Sequence, residues 1–238
     1  MTAARPVCYS GHVGTSPKKP NRPAGADKRV LRILAVLLLT TCVAPCALAL
    51  VIRVALYEAF EIDGPSMAPS YQHGDRMAVS KWELGLFFPF THEAALSWGE
   101  PELGDVVIAH SPYDNIDISK RVVGLPGDVI QFREDRLYRN GEPVATRELG
   151  PARGGEEPMR CVEERLGDRS YAILLHDFVP PDSMDPVTVP DGHVFLLGDN
   201  RHRSNDSRNP RIGAVPLERL KGIASFHYFL GRDRIACP

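Results

Sequence analysis

Residues 33–52 read ILAVLLLTTCVAPCALALVI and carry no charge, with Arg32 and Arg53 at the two ends. Those 20 residues, at 1.5 Å of helical rise each, reach about 30 Å, the thickness of a bilayer's hydrocarbon core. A helix on a soluble core keeps polar residues at helical spacing on one side. This run offers only Thr40, Thr41, Cys42 and Cys46. Pro45 in its middle predicts a kink, which membrane helices accommodate. A cleaved secretion signal is the competing assignment, because Ala47-Leu48-Ala49 resembles a small-residue cleavage site. The apolar stretch exceeds the usual length of about 7–15 residues and the basic leader is long, so an uncleaved anchor over residues 30–55 is expected.

The net charge of −2 averages two unlike parts. Residues 1–32 carry +6 and residues 33–238 carry −8. The positive-inside rule then puts residues 1–29 in the cytoplasm and residues 56–238 outside it, in the periplasmic direction, with the lipid bilayer as a partner. The leader is rich in Pro, Gly, Ser and Lys, the composition of a disordered tail. The acidic outer part excludes a nucleic-acid-binding module. With 43% hydrophobic and 24% charged residues, the chain is neither wholly disordered nor a multi-span membrane protein. No Cys/His spacing matches a zinc site, and no metal or other cofactor is expected. Cys161 and Cys237 fall in the outer part, where an oxidising compartment permits a disulfide, but nothing in their spacing shows that they meet.

The outer part alternates short β-rich runs with Gly and Pro punctuation. Strands are expected at Arg76–Lys81, Asp105–His110, Ile118–Gly124, Val129–Arg133, Arg136–Arg139, Tyr171–Val179, His193–Leu197 and Ile223–Leu230. Asn140-Gly141 is a type I′ hairpin signal. No βαβ rhythm appears, so the fold class is mainly β, an antiparallel sheet domain preceded by one membrane helix. Residues 148–191 are less regular and look like an inserted smaller subdomain.

Three segments hold more polar residues than core packing needs. Ser66 sits in Asp63-Gly64-Pro65-Ser66-Met67-Ala68-Pro69-Ser70, a stretch too broken for regular structure; such turns present a hydroxyl and leave N–H groups free for an oxyanion. Lys120 interrupts a strand-like run, and an inward-facing lysine would have its pKa depressed by burial. Gly198–Arg208 alternates charges, as either a solvated loop or an ion-paired support does. Taken singly, each is as well explained by a turn serine, an outward lysine and a surface loop.

Together they carry a resemblance. Ser66-Met67-x-Pro69, Gly74-Asp75, Gly104-Asp105-Val106-Val107, Lys120-Arg121-Val122-Val123-Gly124-Leu125-Pro126-Gly127-Asp128 and Gly198-Asp199-Asn200-Arg201 through Ser204-x-Asp206-Ser207-Arg208 stand in the order of the boxes of bacterial type I signal (leader) peptidases. The chain resembles that family from about Phe60 to Phe229. The resemblance implies a serine endopeptidase with Ser66 as nucleophile and Lys120 as general base. It also implies that Ser204 hydrogen-bonds the lysine, that Asp199, Arg201, Asp206 and Arg208 support the site, and that the Ser66 N–H serves the oxyanion. Arg121 would point away, because strand neighbours alternate faces. Phe60, Ile62, Met67, Asp117 and Ser119 match substrate-binding positions. Gly64 stands where the best-known Gram-negative form places an oxyanion serine, His202-Arg203 stands where Asp-Asn is usual, and Ser119 replaces an apolar residue.

The implied partners are exported precursor proteins carrying signal peptides, bound as an added β-strand with small residues at −1 and −3. The aromatic stretch Trp82–Phe90 would rest on the bilayer or fill the core. Two alternatives stay open: a dedicated pilin- or conjugation-type maturation peptidase of the same family, and a catalytically inactive anchored binding module. A self-cleaving Ser–Lys repressor protease is disfavoured by the anchor and by the lack of a DNA-binding helix pair.

Overall fold

The computed structural model describes residues 27–87, 94–155, 157–230 and 234–238. The tail proper, Phe88–Phe90 of the aromatic stretch and Glu156 lie outside the described residues. Two compact units part between Ala47 and Leu48.

In the helical unit, α1 spans Lys28–Leu38, with the Asp27 side chain accepting the Arg29 N–H at its start. A π-helical turn, Leu39–Val43, leads into α2, Ala44–Leu56, whose residues from Leu48 onward belong to the second unit. Pro45 cannot donate a backbone hydrogen bond and its ring crowds the carbonyl four residues back, so the helix widens just before it. The stretch Lys28–Leu50 has a mean hydropathy of 2.5 and none of it is buried; it is long and apolar enough to cross a membrane.

The second unit is built of strands: β1 Tyr57–Glu61, β2 Arg76–Ser80, β3 Gly85–Phe87, β4 Ala94–Ser97, β5 Val106–His110, β6 Asp117–Gly124, β7 Val129–Arg133 and β8 Arg136–Arg139. They continue with β9 Glu142–Pro143, β10 Ala145–Pro151, β11 Met159–Leu166, β12 Arg169–His176, β13 Met184–Thr188, β14 His193–Leu197, β15 Val215–Pro216 and β16 Leu220–Phe229. Among the described residues, the main sheet has the order β1-β2-β16-β5-β6-β14-β15; the others run β10-β11-β12, β13-β7-β8-β9 and β3-β4. Neighbouring strands pair antiparallel. The fold is mainly β, as expected. Asn140 and Gly141 both have positive φ, 55° and 83°, which a type I′ turn requires.

Strands β6 and β14 are buried on both faces. Val122, Val194 and Leu196 join one apolar cluster with Val107, Ile118, Leu220 and Ile223. Val123, Phe195 and Leu197 join a second with Ile130, Phe132, Leu137, Val162, Tyr171 and Ile173. These two strands are the wall between the clusters, and alternation sends successive side chains to opposite sides.

The irregular stretch 148–191 is not set apart. Its strands β11 and β12 place Val162, Leu166, Tyr171, Ile173 and Leu175 in the second cluster. The sequence pattern missed β1, β3, β4, β9, β10, β11, β13 and β15. β11 reads MRCVEERL, and its charges mask a strand whose Met159, Cys161, Val162, Glu164 and Leu166 are nonetheless buried. Cys161 and Cys237, left open by the sequence, are disulfide-bonded with Cα atoms 5.7 Å apart.

Candidate active site

Ser66 lies in the loop between β1 and β2. The loop closes at its base, where the Ile62 N–H donates to Asp75 O at 2.8 Å and the Gly74 N–H to Ile62 O at 2.9 Å. Met67 and Ala68 are buried beneath it, so the loop is anchored immediately after the serine. Among the described residues the Ser66 N–H is not engaged by another group.

Lys120 comes from the middle of β6, on the face shared by Ile118 and Val122. Only 3% of it is exposed. Its Nζ donates to Ser66 Oγ at 2.9 Å and to Ser119 O at 2.8 Å. Burial pushes the amine down to about 8; Asp206 and Asp199 oppose that shift and Arg208 adds to it. Once the lysine is neutral the same contact reverses, with the hydroxyl donating to the free amine. A serine needs such an acceptor for its proton, and an ammonium cannot be one.

Arg121 turns to the other face, as alternation requires. There it forms a bidentate pair with Asp199, Nε to Oδ1 at 2.7 Å and an Nη to Oδ2 at 2.6 Å. It also donates to Gly104 O at 2.7 Å and to Ser70 Oγ at 3.2 Å, and it lies over the Tyr171 ring at 3.9 Å. One guanidinium therefore ties the Ser66 loop, the turn before β5 and the 198–208 segment together.

That segment is held just as closely. Arg201 is fully buried and forms a bidentate pair with Glu164 of β11, which also accepts the Tyr171 hydroxyl at 3.0 Å. Asp206 accepts the Gly198 N–H at 3.0 Å and the Arg208 side chain at 2.8 and 2.9 Å. Burial alone would raise the Asp206 carboxyl; Arg208, the Gly198 N–H and Ser204 together hold it below its usual range. Gly198 has no room for a side chain. A Cβ there would stand 2.2 Å from Ser204 Oγ and 2.5 Å from Ser66 O.

Ser204 departs from what the resemblance implied. Its Oγ is buried without a hydrogen-bond partner among the described residues, although it lies near enough to Asp206 to help lower that carboxyl. The lysine bonds the Ser119 carbonyl in its place. Gly64 has φ +93° with empty space where a side chain would project, and its N–H faces His73 Nδ1 at 3.4 Å, so no side-chain hydroxyl reaches the oxyanion position from it.

A cleft of about 160 Å³ opens onto the serine and lysine. Phe60, Ile62, Asp117 and Ser119 line it. Met67 does not: it is fully buried under the loop, because its apolar side chain is what anchors that loop. Asp117 binds Lys221 at 2.6 Å and His110 at 3.1 Å. Partial burial would raise the Asp117 carboxyl, and those two partners hold it below its ordinary value. Sequence reasoning missed Glu164, Tyr171, Lys221 and the tie made by Arg121. No local motif pairs a glutamate on β11 with an arginine 37 positions later. Among the described residues no group of three or more His, Cys, Asp or Glu is placed to hold a metal ion.

The family model described as "Signal peptidase, peptidase S26" matches residues 34–229. The chain is 37% identical to Signal peptidase I of Pseudomonas aeruginosa over 190 residues, covering 74% of this chain and 66% of that protein. It is 34% identical to Signal peptidase I of Bacillus licheniformis over 182 residues, covering 76% of this chain and 82% of that protein. The solved structure of a signal peptidase I from Enterococcus faecalis V583 is similar at 25% identity and a TM-score of 0.34, over 54% of this chain and 100% of that one. A family model that spans most of the chain, together with relatives of this identity, places the protein in the peptidase S26 signal peptidase family.

Proposed function

We propose that this chain is a membrane-anchored serine endopeptidase that removes N-terminal signal peptides from exported precursors. The observation that carries the chemistry is the 2.9 Å contact between Ser66 Oγ and a lysine amine that burial brings down to about 8. The neutral Lys120 takes the Ser66 proton as Oγ attacks the scissile carbonyl. The Ser66 N–H steadies the oxyanion. The ammonium then returns the proton to the leaving amine as the C–N bond breaks. Water, deprotonated by the same amine, hydrolyses the ester and frees Ser66. Ser204, Asp199, Arg201, Asp206 and Arg208 hold the walls of the site.

The precursor lies in the cleft beside Phe60 and Ile62 as an extended strand, which leaves room for small residues at −1 and −3. Residues 1–29 are the cytoplasmic tail, 30–55 cross the membrane and 56–238 form the extracytoplasmic catalytic part, on the charge asymmetry that flanks the apolar helix.

The test uses the full chain in detergent with several precursor peptides, and the products are sequenced. Ser66→Ala and Lys120→Ala should each abolish cleavage while the circular-dichroism spectrum is retained. Cleavage by either variant at the wild-type rate overturns the dyad. Cleavage of only one precursor in the panel would indicate a dedicated maturation peptidase.

A further inference from the structure

The nucleophile loop is held across the site by one backbone hydrogen bond, from the Asn200 N–H to Ser66 O at 3.0 Å. What holds Asn200 is therefore a question about the nucleophile itself. Its backbone docks on β12, where the Leu174 N–H donates to Asp199 O at 2.9 Å. Its side chain meets His176, the last residue of β12, with Oδ1 3.0 Å from Nε2. The other ring nitrogen, Nδ1, is 3.0 Å from Glu157 Oε2, and the second Glu157 oxygen pairs with Arg203. The His176 N–H donates to His202 Nδ1 at 3.0 Å, and His202 Nε2 meets Asp135 Oδ1 at 2.9 Å. The ring is thus clamped at both nitrogens and at its backbone, and it is 6% exposed.

Packing leaves one side of this arrangement unfilled. A cavity of about 160 Å³ lies beside the ring, lined by Pro65, Glu157, Met159, His176, Asn200 and Arg203. Pro65 is the residue immediately before the nucleophile. Asn200 and the loop therefore have open space on this side, and hydrogen bonding is what restrains them there. His176 lies outside the lining of the cleft that holds Ser66 and Lys120.

We propose that His176 is a positioning residue for the nucleophile. Its Nε2 fixes the Asn200 side chain, and the Asn200 N–H in turn fixes the Ser66 carbonyl and the aim of Oγ at Lys120. The proposal rests on the assignment of Ser66 as nucleophile. Displacing a reacting group by about 1 Å costs roughly 100-fold in rate, so a loosened hydrogen bond is felt in turnover before it is felt in folding.

Two substitutions separate the nitrogens. Glutamine places its amide near Nε2 and keeps the bond to Asn200; asparagine reaches only to Nδ1 and keeps the bond to Glu157. His176→Gln should hold kcat within about twofold of wild type. His176→Asn should lower kcat about tenfold at unchanged KM and unchanged thermal midpoint. Asn200→Ala, which keeps the backbone N–H, should match His176→Asn, and the double variant should fall no further. Hydrogen exchange at the Asn200 amide should quicken in His176→Asn and not in His176→Gln. Equal kcat in the two His176 variants, or additive losses in the double variant, overturns the proposal. Ser66→Ala is assayed alongside. If it cleaves, the nucleophile assignment fails and this inference with it; if it is inactive while His176→Asn matches wild type, only the role of His176 fails.

Discussion

Lys120 shows at the scale of one residue what the proposed chemistry needs and what it costs to fold. The amine lies on the same strand face as Ile118 and Val122, and burial there brings it down to about 8. Because the free amine is the active form, the cleavage rate should climb as pH rises through about 8 and level off above it. A rate unchanged between pH 7 and 9.5 would remove Lys120 as the base. The folded pKa lies below the unfolded one, so the unfolded chain binds the extra proton between about 8 and 10.5. Stability should rise with pH across that window, and the full penalty is present below it. A shift of this size corresponds to about 3 kcal/mol. Lys120→Met should therefore be inactive but more stable at pH 7, by an amount of that order, with no such rise in denaturant unfolding from pH 8 to 10. That Ser66 and Lys120 are the pair proposed for the chemistry was legible in the boxes around them. That the second lysine contact is the Ser119 carbonyl was not, because it depends on how β6 carries the side chain back along its own strand.

At the scale of elements, the 198–208 segment is positioned by strands far away in sequence. Gly198 passes between Ser204 Oγ and Ser66 O with no space for a methyl group. Forcing one in costs typically about 1–3 kcal/mol. Gly198→Ala should lose cleavage and lower the thermal midpoint together, in paired peptide and melting assays. The Arg201–Glu164 pair is almost wholly shielded from water, with each side chain 1% exposed. Removing one partner strands a buried charge at a cost of about 3–5 kcal/mol, whereas replacing both with apolar groups is far milder. Glu164→Leu should be severely destabilised, and adding Arg201→Met should recover most of the loss in equilibrium unfolding. An additive double variant would show that the two residues do not act as a pair. Arg201 was legible as a supporting residue because it stands in a dense polar motif. Glu164 was hidden in MRCVEERL, where one glutamate looks like any other until the three-stranded sheet buries it.

Over the whole molecule, the C-terminal segment is laid back against the nucleophile loop. Ile235 exchanges hydrogen bonds of 2.7 Å with the Gln72 side chain, and Arg234 pairs with Asp75. The Cys161–Cys237 disulfide holds that segment to β11 across 76 residues of chain. In the loop-entropy account, closing a loop of that length stabilises the fold by about 4 kcal/mol. Cys161→Ser with Cys237→Ser should lower the midpoint of denaturant unfolding and slow cleavage, since the segment then no longer braces the loop. Unchanged kinetics in the presence of a strong reductant would mean the brace is not needed for turnover.

The sequence by itself determined what can be written along a line. A 20-residue uncharged run, the charge step around it, the turn chemistry of Asn140-Gly141 and the ordered boxes are all local, and they were enough for a β-rich serine peptidase preceded by one apolar helix. The tertiary structure decided everything that depends on distant residues meeting. It brought Lys120 to Ser66, Arg121 to Asp199, Glu164 to Arg201 and Cys161 to Cys237. It also placed Met67 beneath the loop instead of in the cleft, and it left Ser204 without the lysine contact. The reason is physical: composition and periodicity set how each segment partitions between water and core, whereas pairing of buried charges and amines is settled only when two sheets close and water is excluded.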